Sequence, residues 1–411
     1  MYHSGISKIT GVRMKNLIQS SLSLSLDHAK KVYAVMLVLV LFALIQFPSI
    51  QIDTDPENML PADNASRVFH NQTKSDFLMH DAIVVGAVED TDRGVFTPKT
   101  LAKIKSLTDK ILTIDGVIAQ DVMSLSVVDN VTQEKTQEKT QEQGNAIRFE
   151  WLMQSAPETE KQAQTILDNI RELPLLNNTL ASENGKAVAI YVPILDKNKS
   201  YLIAQEIQST IDGFAQSEQT QWHITGLPVA EDRFGYEMFV QMGISAPLAG
   251  LAIFILLILL FKNVKFITAA MIVAMTTVIV TMGLLIGMGF TVHIMSSMIA
   301  IFLMPIAVVD SVHIMSEFAD RYKAGQDKRE VAKTVVGELF TPMLFTSVTS
   351  AVGFLSLMLT PIPPVQIFGA FISFGILLAF ITTILFVPAY ISRMTDESLH
   401  KLQISHQKSL E

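Results

Sequence analysis

Three titratable side chains stand at helical spacing in one apolar part of the chain. Asp310, His313 and Glu317 lie within or just beyond a mostly apolar run, Met295 to Met315. At about 100° per residue, the three positions fall within roughly 60° of one helix face. A carboxylate at a bilayer centre costs roughly 2.5 to 3.5 kcal/mol, so it should face protein or water and have a function. The pattern predicts a proton relay led by Asp310.

Two of these residues have plainer alternatives. An imidazole one turn from a carboxylate can relay protons or ligate a metal, but it can also be a polar residue at a helix contact. Metal binding is the weaker alternative, because no second cluster of His or Asp stands at ligand spacing, and we expect neither metal nor cofactor. Glu317 lies about 10 Å along the axis from Asp310 and can be simply a charge at the membrane boundary.

A proline lies close to the carboxylate in the same run. Pro305 removes a backbone donor and crowds the carbonyl of Ile301, which predicts a helix kink five residues before Asp310. Prolines in membrane helices are equally often packing features.

The next apolar run carries small and hydroxyl residues. Thr346, Ser350 and Gly353 share one helix face at i, i+4 and i+7, and such residues let helices approach closely and can hydrogen-bond a buried carboxyl. We predict them as helix partners of Asp310, with simple packing as the alternative. Gly283 and Gly287 form a GxxxG pattern in another run, which also indicates close helix packing.

The composition explains why all these positions should lie in a membrane. The 411 residues are 49% hydrophobic and 17% charged, with a mean hydropathy of +0.37, which is too apolar for an ordinary soluble enzyme. Six apolar runs are long enough to cross a bilayer. They are 32–50, 243–261, 266–287, 295–318, 339–360 and 367–391. The sequence therefore predicts a six-span helical membrane protein.

The charge distribution predicts its orientation. Residues 51–242 contain 29 acidic and 16 basic residues, whereas basic residues gather elsewhere. They are Lys8, Arg13, Lys15, Lys30 and Lys31 before the first run, Lys262 and Lys265 after the second, Arg321 to Lys333 after the fourth, and Arg393, Lys401 and Lys408 after the sixth. The positive-inside rule then places the N-terminus (1–31) and the tail (392–411) in the cytoplasm, and 51–242 outside. The first run lacks a small-residue cleavage site, so we interpret it as a retained anchor.

The polar segment 51–242 has the pattern of an α+β domain. A strand at Ala82 to Val88, a helix from Thr97-Pro98 to about Leu112 and a strand at Val117 to Val128 form one β-α-β unit. A second unit follows, with strands at 187–192 and 221–225 around a helix at 201–214. Two such units predict a ferredoxin-like sandwich. With no cysteine in the chain, no disulfide or cysteine-ligated metal holds it together.

The charged segment Asp320 to Glu338 follows the fourth apolar run. It can form an amphipathic helix on the membrane surface or a solvated connecting helix.

Four segments together resemble a known family. They are Asp53-Thr-Asp-Pro-Glu-Asn-Met-Leu-Pro61, Gly226-Leu-Pro228, Val308-Val-Asp-Ser-Val-His-Ile314 and Thr341-Pro-Met-Leu-Phe-Thr-Ser-Val-Thr-Ser-Ala-Val-Gly-Phe354. With the order of elements, they make the chain similar to one half of a resistance-nodulation-division (RND) transporter. The likeness is greatest to the MMPL-type and exporter branches, which have a sterol-sensing-like membrane domain.

The resemblance implies a porter domain between the first and second spans, and proton uptake by an acid in the fourth span, here Asp310. Many relatives have a second acid or a tyrosine after that aspartate, where this chain has Ser311, so its proton path can differ and His313 can contribute. Complete RND transporters contain two such halves. The resemblance therefore implies a homodimer or pairing with a second six-span half.

These observations lead to one main hypothesis and two rivals. The main one is a proton-driven exporter of hydrophobic or amphipathic molecules such as lipids, in the inner (plasma) membrane. We expect no enzymatic chemistry and no nucleic acid partner. The rivals are a sterol-sensing-like lipid sensor or scaffold, and an accessory subunit of protein translocation.

Overall fold

The computed structural model describes residues 18–53, 55–134, 146–214, 219–261, 263–323 and 325–395, with the backbone alone at 130–134 and 146–150. The helices are α1 (residues 18–27), α2 (Ala29–Gln46), α3 (Ala65–Asp76), α4 (Pro98–Ile111), α5 (Glu160–Glu172), α6 (Ser200–Asp212), α7 (Leu227–Phe261), α8 (Val264–Gly287), α9 (Ile294–Arg321), α10 (Lys328–Leu355) and α11 (Pro363–Arg393). The strands are β1 (Ala82–Glu89), β2 (Asp129–Glu134), β3 (Ala146–Trp151), β4 (Ala187–Pro193) and β5 (Thr220–Thr225). The basic residues predicted at the extreme termini, up to Lys15 and from Lys401 on, lie outside the described ranges.

The chain divides into two compact units. One comprises the residues up to Arg67 together with those from Glu237 on, and the other is Val68–Tyr236. The described part of the chain is mostly helical and contains a small three-stranded sheet. Six of its helices are long and apolar enough to cross a membrane: α2, α7, α8, α9, α10 and α11. This confirms the predicted six-span helical class.

The core of the membrane unit lies among three helices. α8, α9 and α11 pack on one another and are largely buried, whereas the apolar stretches of α2, α7 and α10 are largely exposed. α2 reaches this core through a close approach to α8. A Cβ atom at Gly283 would lie 2.5 Å from Cβ of Ala43. The GxxxG pattern is therefore confirmed as a close helix contact.

Several helices begin or end beyond their apolar runs. α7 starts at Leu227, sixteen residues before the predicted span, and α10 starts at Lys328, eleven residues before it. Asp327 caps α10, because its side chain accepts a hydrogen bond from the Arg329 amide. Most of the charged segment Asp320 to Glu338 thus belongs to the ends of α9 and α10 rather than to a separate surface helix.

The other unit is built on the sheet β4-β1-β5, in which both neighbours run antiparallel to β1. Ile83, Val85 and Ala87 of β1 are buried on one face, as the alternation of strand side chains requires. The apolar faces of α4, α5 and α6 contribute to the same core. Thr97 caps α4 by accepting a hydrogen bond from the Thr100 amide, with Pro98 in the first turn, as predicted.

One predicted strand is wrong. Between Val117 and Val128 the chain forms only two isolated antiparallel bridges, Val117 with Ile194 and Met123 with Tyr191. A short helical turn at Ala119–Asp121 lies between the bridges, so the segment cannot keep strand alternation. β2 and β3 instead form a separate antiparallel pair.

Candidate functional site

Helix α9 carries the candidate site. Its fold follows from a long apolar sequence whose backbone groups must be satisfied within the helix. α9 continues as one helix through Pro305, and Pro305 lies on its exposed side. The buried side holds Asp310, whose side chain faces α10.

Asp310 is the central residue of the site. It is 8% exposed, although its neighbour Val309 is 50% exposed. Its Oδ2 atom accepts a hydrogen bond of 3.4 Å from the Ser347 hydroxyl of α10, and within the described residues no Lys or Arg forms an ion pair with it. A buried carboxyl with a single long hydrogen bond and no Lys or Arg partner among the described residues is suited to gain and lose a proton.

The hydroxyl partner differs from the three predicted ones. Thr346 is exposed and donates to the carbonyl of Pro342, Ser350 is half-buried, and Gly353 is exposed with open space around its Cα. The partner is Ser347, one residue beyond Thr346. Ser347 lies on the same helix as the predicted residues but at a different position, because helix rotation is set by packing on α11 and not by the spacing of hydroxyls.

His313 lies one turn from Asp310 on the exposed side of α9. No hydrogen bond joins its imidazole to the Asp310 carboxylate, whose hydrogen-bond donor is Ser347. Its position is compatible with either predicted role, a proton relay or a polar contact with another helix.

Glu317 has a different environment from the other two predicted relay residues. Nε of Arg321 donates to its Oε1 atom at 2.5 Å, and Nη2 of Arg321 lies 2.6 Å from Oε2 of Glu338. These ion pairs connect the end of α9 to α10. Glu317 is thus bound by an arginine rather than facing Asp310, which favours the alternative of a boundary charge.

The residue after Asp310 makes a contact that the sequence did not reveal. Oγ of Ser311 lies 3.3 Å from Oγ1 of Thr383 on α11, and both residues are fully buried. α9 therefore has polar contacts with α10 and α11 at adjacent positions. The sequence alone shows the departure from the family pattern at Ser311, whereas its partner Thr383 depends on how α11 packs.

A second cluster of polar side chains lies at the start of α9. Oδ2 of Asp53 accepts a 2.8 Å hydrogen bond from Asn58 and lies 3.7 Å from Nε2 of His293, the residue that precedes α9. The Arg67 guanidinium donates in turn to Asn58 at 2.5 Å. Asp53 and Asn58 belong to the first resemblance segment, whereas no motif or spacing in the sequence singles out His293.

The backbone holds the same two segments together. The Asp53 amide donates to the Val292 carbonyl at 3.2 Å, and the Val292 amide donates to the Gln51 carbonyl at 2.8 Å. Throughout the described ranges, no group of three or more His, Cys, Asp or Glu residues could hold a metal ion.

Comparison with known proteins found similarities over most of the chain. The sequence profile of the MMPL family matches residues 100–401. A protein of Methanocaldococcus jannaschii, MJ1562, is 20% identical over 367 residues, which cover 87% of this chain and 88% of that protein. Its name assigns it only to the membrane.

Proposed function

Since the chain belongs to the MMPL family, we propose that it is one half of a proton-driven exporter of hydrophobic or amphipathic molecules, lipids among them. Membership confirms the resemblance found in the sequence and indicates a membrane transporter for lipid-like substrates. The proton coupling, the export direction and the location in the inner (plasma) membrane are our proposal.

The environment of Asp310 carries this proposal. A carboxyl buried between α9 and α10, with one hydroxyl partner, can alternate between a neutral and an ionised form. The two forms require different packing, because only the ionised form demands compensation for its charge. A proton that crosses 100 mV releases about 2.3 kcal/mol, which is enough to bias two helix arrangements. No covalent chemistry is needed.

The unit Val68–Tyr236 would be the porter domain on the outer side. Counting the bridged segment around Val117 and Met123 as an edge, the order is that segment, β4, β1 and β5, all antiparallel. A ferredoxin-like sandwich has this order, which supports our assignment. The acidic composition of residues 51–242 and the basic flanks support placing it outside, with both termini in the cytoplasm.

We further propose that a second half covers α9 and α10. His313 is exposed beside Asp310, and the exposed side of α10 carries the hydroxyls of Thr346 and Thr349. A histidine facing lipid would be costly, so a homodimer, or a complex with another six-span chain, is the better arrangement. Neither arrangement involves nucleic acid.

The substitution Asp310→Asn tests the proton coupling. It preserves the shape of the side chain but cannot ionise, so we expect at least a roughly tenfold loss of transport driven by a pH gradient. The measurement is movement of a fluorescent acyl amphiphile in sealed vesicles with an imposed gradient. Asp320→Asn, at an exposed position of the same helix, is the matched control and should retain transport.

Two results would contradict the proposal. Transport by Asp310→Asn that equals wild type would remove Asp310 from the mechanism. Transport by the wild-type protein that ignores the gradient, with the amphiphile still bound, would instead support the lipid sensor.

A further inference from the structure

We propose that His293 and Asp53 form a second proton-binding site, at the start of the helix that carries Asp310. Nε2 of His293 lies 3.7 Å from Oδ2 of Asp53, and the two side chains are only 12% and 17% exposed. The role of the pair in transport rests on the proposed function, but proton binding by the pair does not.

The contacts of His293 differ between its two charge states. Its Nε2 atom lies 3.0 Å from the Thr291 hydroxyl, which satisfies a neutral imidazole. A protonated imidazole instead attracts the Asp53 carboxylate. Only the protonated imidazole is charged, so the attraction is present in acid and is lost as the pH rises. Because both side chains are mostly shielded from solvent, salt screens this pair less than a surface pair.

His293 needs the Asp53 carboxylate as a partner when it is protonated, because it lies at the start of a helix. The amino-terminal end of a helix carries a partial positive charge, which disfavours a cation there. Asp53 supplies the compensating negative charge to His293, which lies just before α9. Protonation should therefore tighten the contact between the segment after α2 and the start of α9.

Other charged side chains of the described residues lie in the segments that meet at this contact. Asp55 and Glu57 lie in the same segment as Asp53, and Arg67 donates to Asn58, which in turn donates to Asp53. In α2, α8 and α11 the charged residues lie at the opposite ends of the helices. They are Lys30, Lys31, Lys265 and Arg393. His293 thus lies 3.7 Å from Asp53 and is the imidazole of this pair.

The backbone bridge beside the pair provides a readout without any cargo. The amides of Asp53 and Val292 are both hydrogen-bonded across this contact. We would measure their hydrogen-exchange protection by mass spectrometry on the full chain in detergent, at about pH 7.5 and about pH 5.5. Corrected for intrinsic exchange, protection should rise about fivefold at the lower pH, as expected for a partly buried ion pair.

Substitutions separate charge from structure. His293→Gln should remove the pH dependence, and His293→Lys should keep protection at its higher level at both pH values. His223→Gln, which removes an exposed histidine on β5, should behave as wild type. Protection that does not change with pH in the wild type, or a pH dependence that persists in His293→Gln, overturns the proposal.

The outcome is independent of the Asp310 test. The pH-dependent protection should persist in Asp310→Asn, because the two sites lie about 25 Å apart along α9. If Asp310→Asn transports normally while the protection still depends on His293, the proton-binding site stands and the proposed function fails. If protection behaves as expected and transport by His293→Gln keeps its wild-type pH dependence, the site has no part in transport.

Discussion

At the residue scale, one hydroxyl donates a hydrogen bond to the buried carboxylate of Asp310. Ser347 is the hydrogen-bond partner of Asp310 among the described residues. Its hydroxyl sits 3.4 Å from Oδ2, whereas the neighbouring hydroxyls of α10 bond to backbone carbonyls of their own helix. Ser347 therefore contacts Asp310 directly, whereas the neighbouring hydroxyls of α10 do not.

Ser347→Ala should impair proton-coupled transport without unfolding the protein. The substitution removes a hydrogen bond to an ionisable group. The free energy of such a bond corresponds to about a tenfold change in an equilibrium constant. We expect a transport rate lower by about that factor and a shifted pH dependence, both measured in sealed vesicles. Thr334→Ala, which removes an exposed hydroxyl near the start of the same helix, is the control, and an equal loss in both variants would count against a specific role for Ser347.

The sequence could identify Asp310 but not its partner. A lone carboxylate in an apolar run is informative by itself, because its cost in a membrane does not depend on details of packing. The identity of the partner depends on the rotation of α10 about its axis. Side chains of consecutive residues on a helix point about 100° apart. For this reason the sequence predicts Thr346, Ser350 and Gly353, whereas the structure shows Ser347 as the partner.

At the element scale, the approach of α2 to α8 depends on a missing side chain. The space at Gly283 is filled by Ala43, whose Cβ, Cα and carbonyl oxygen all lie within 2.7 Å of the site of a Cβ atom. Two of these three atoms belong to the backbone, so a larger residue would have to separate the helices.

Gly283→Ala should therefore destabilise the membrane unit. An added methyl group in a close-packed contact costs about 1 to 3 kcal/mol, which more than cancels the higher helix propensity of alanine. The expected result is a lower Tm of the full chain in detergent. Gly243→Ala adds the same methyl group to α7, where no atom lies within 4 Å, and should leave the Tm unchanged or slightly higher. Equal Tm values for the two variants would show that α2 and α8 leave room for a methyl group at Gly283, contrary to the structure.

The elements themselves were predictable to different degrees. Apolar runs located all six long helices, because a span must be apolar over its whole length. They did not locate the helix ends at Leu227 and Lys328, since a helix can continue into water after the apolar residues stop. The segment from Val117 to Val128 has many apolar residues but not the pairing of a strand, and only the packing against β4 reveals this.

At the scale of the whole molecule, α9 connects two titratable regions. Its start contacts Asp53 through His293, its middle contacts α10 through Asp310, and both contacts lie in the membrane unit. The helix is also held by α8 and α11 along its buried side. A change of charge at either region can therefore act on the same packed helix.

The exposed side of α9 leads to the last prediction, that a second half covers it. The chain contains no cysteine, so a single introduced thiol is unique. Val309→Cys places it beside Asp310 on the exposed side, and Val38→Cys places one at an exposed position of α2. If two copies pair through α9, a short bis-maleimide applied to membranes should cross-link Val309→Cys into a species of twice the chain mass.

The control and the contrary results follow from the same geometry. Val38→Cys should remain a single chain, because α2 lies away from the predicted contact. Equal cross-linking of both variants would indicate random collision rather than pairing. If neither variant cross-links and the purified protein has the mass of one chain, self-pairing is wrong. A different six-span chain, recovered with the protein from its native membrane, would then have to cover α9.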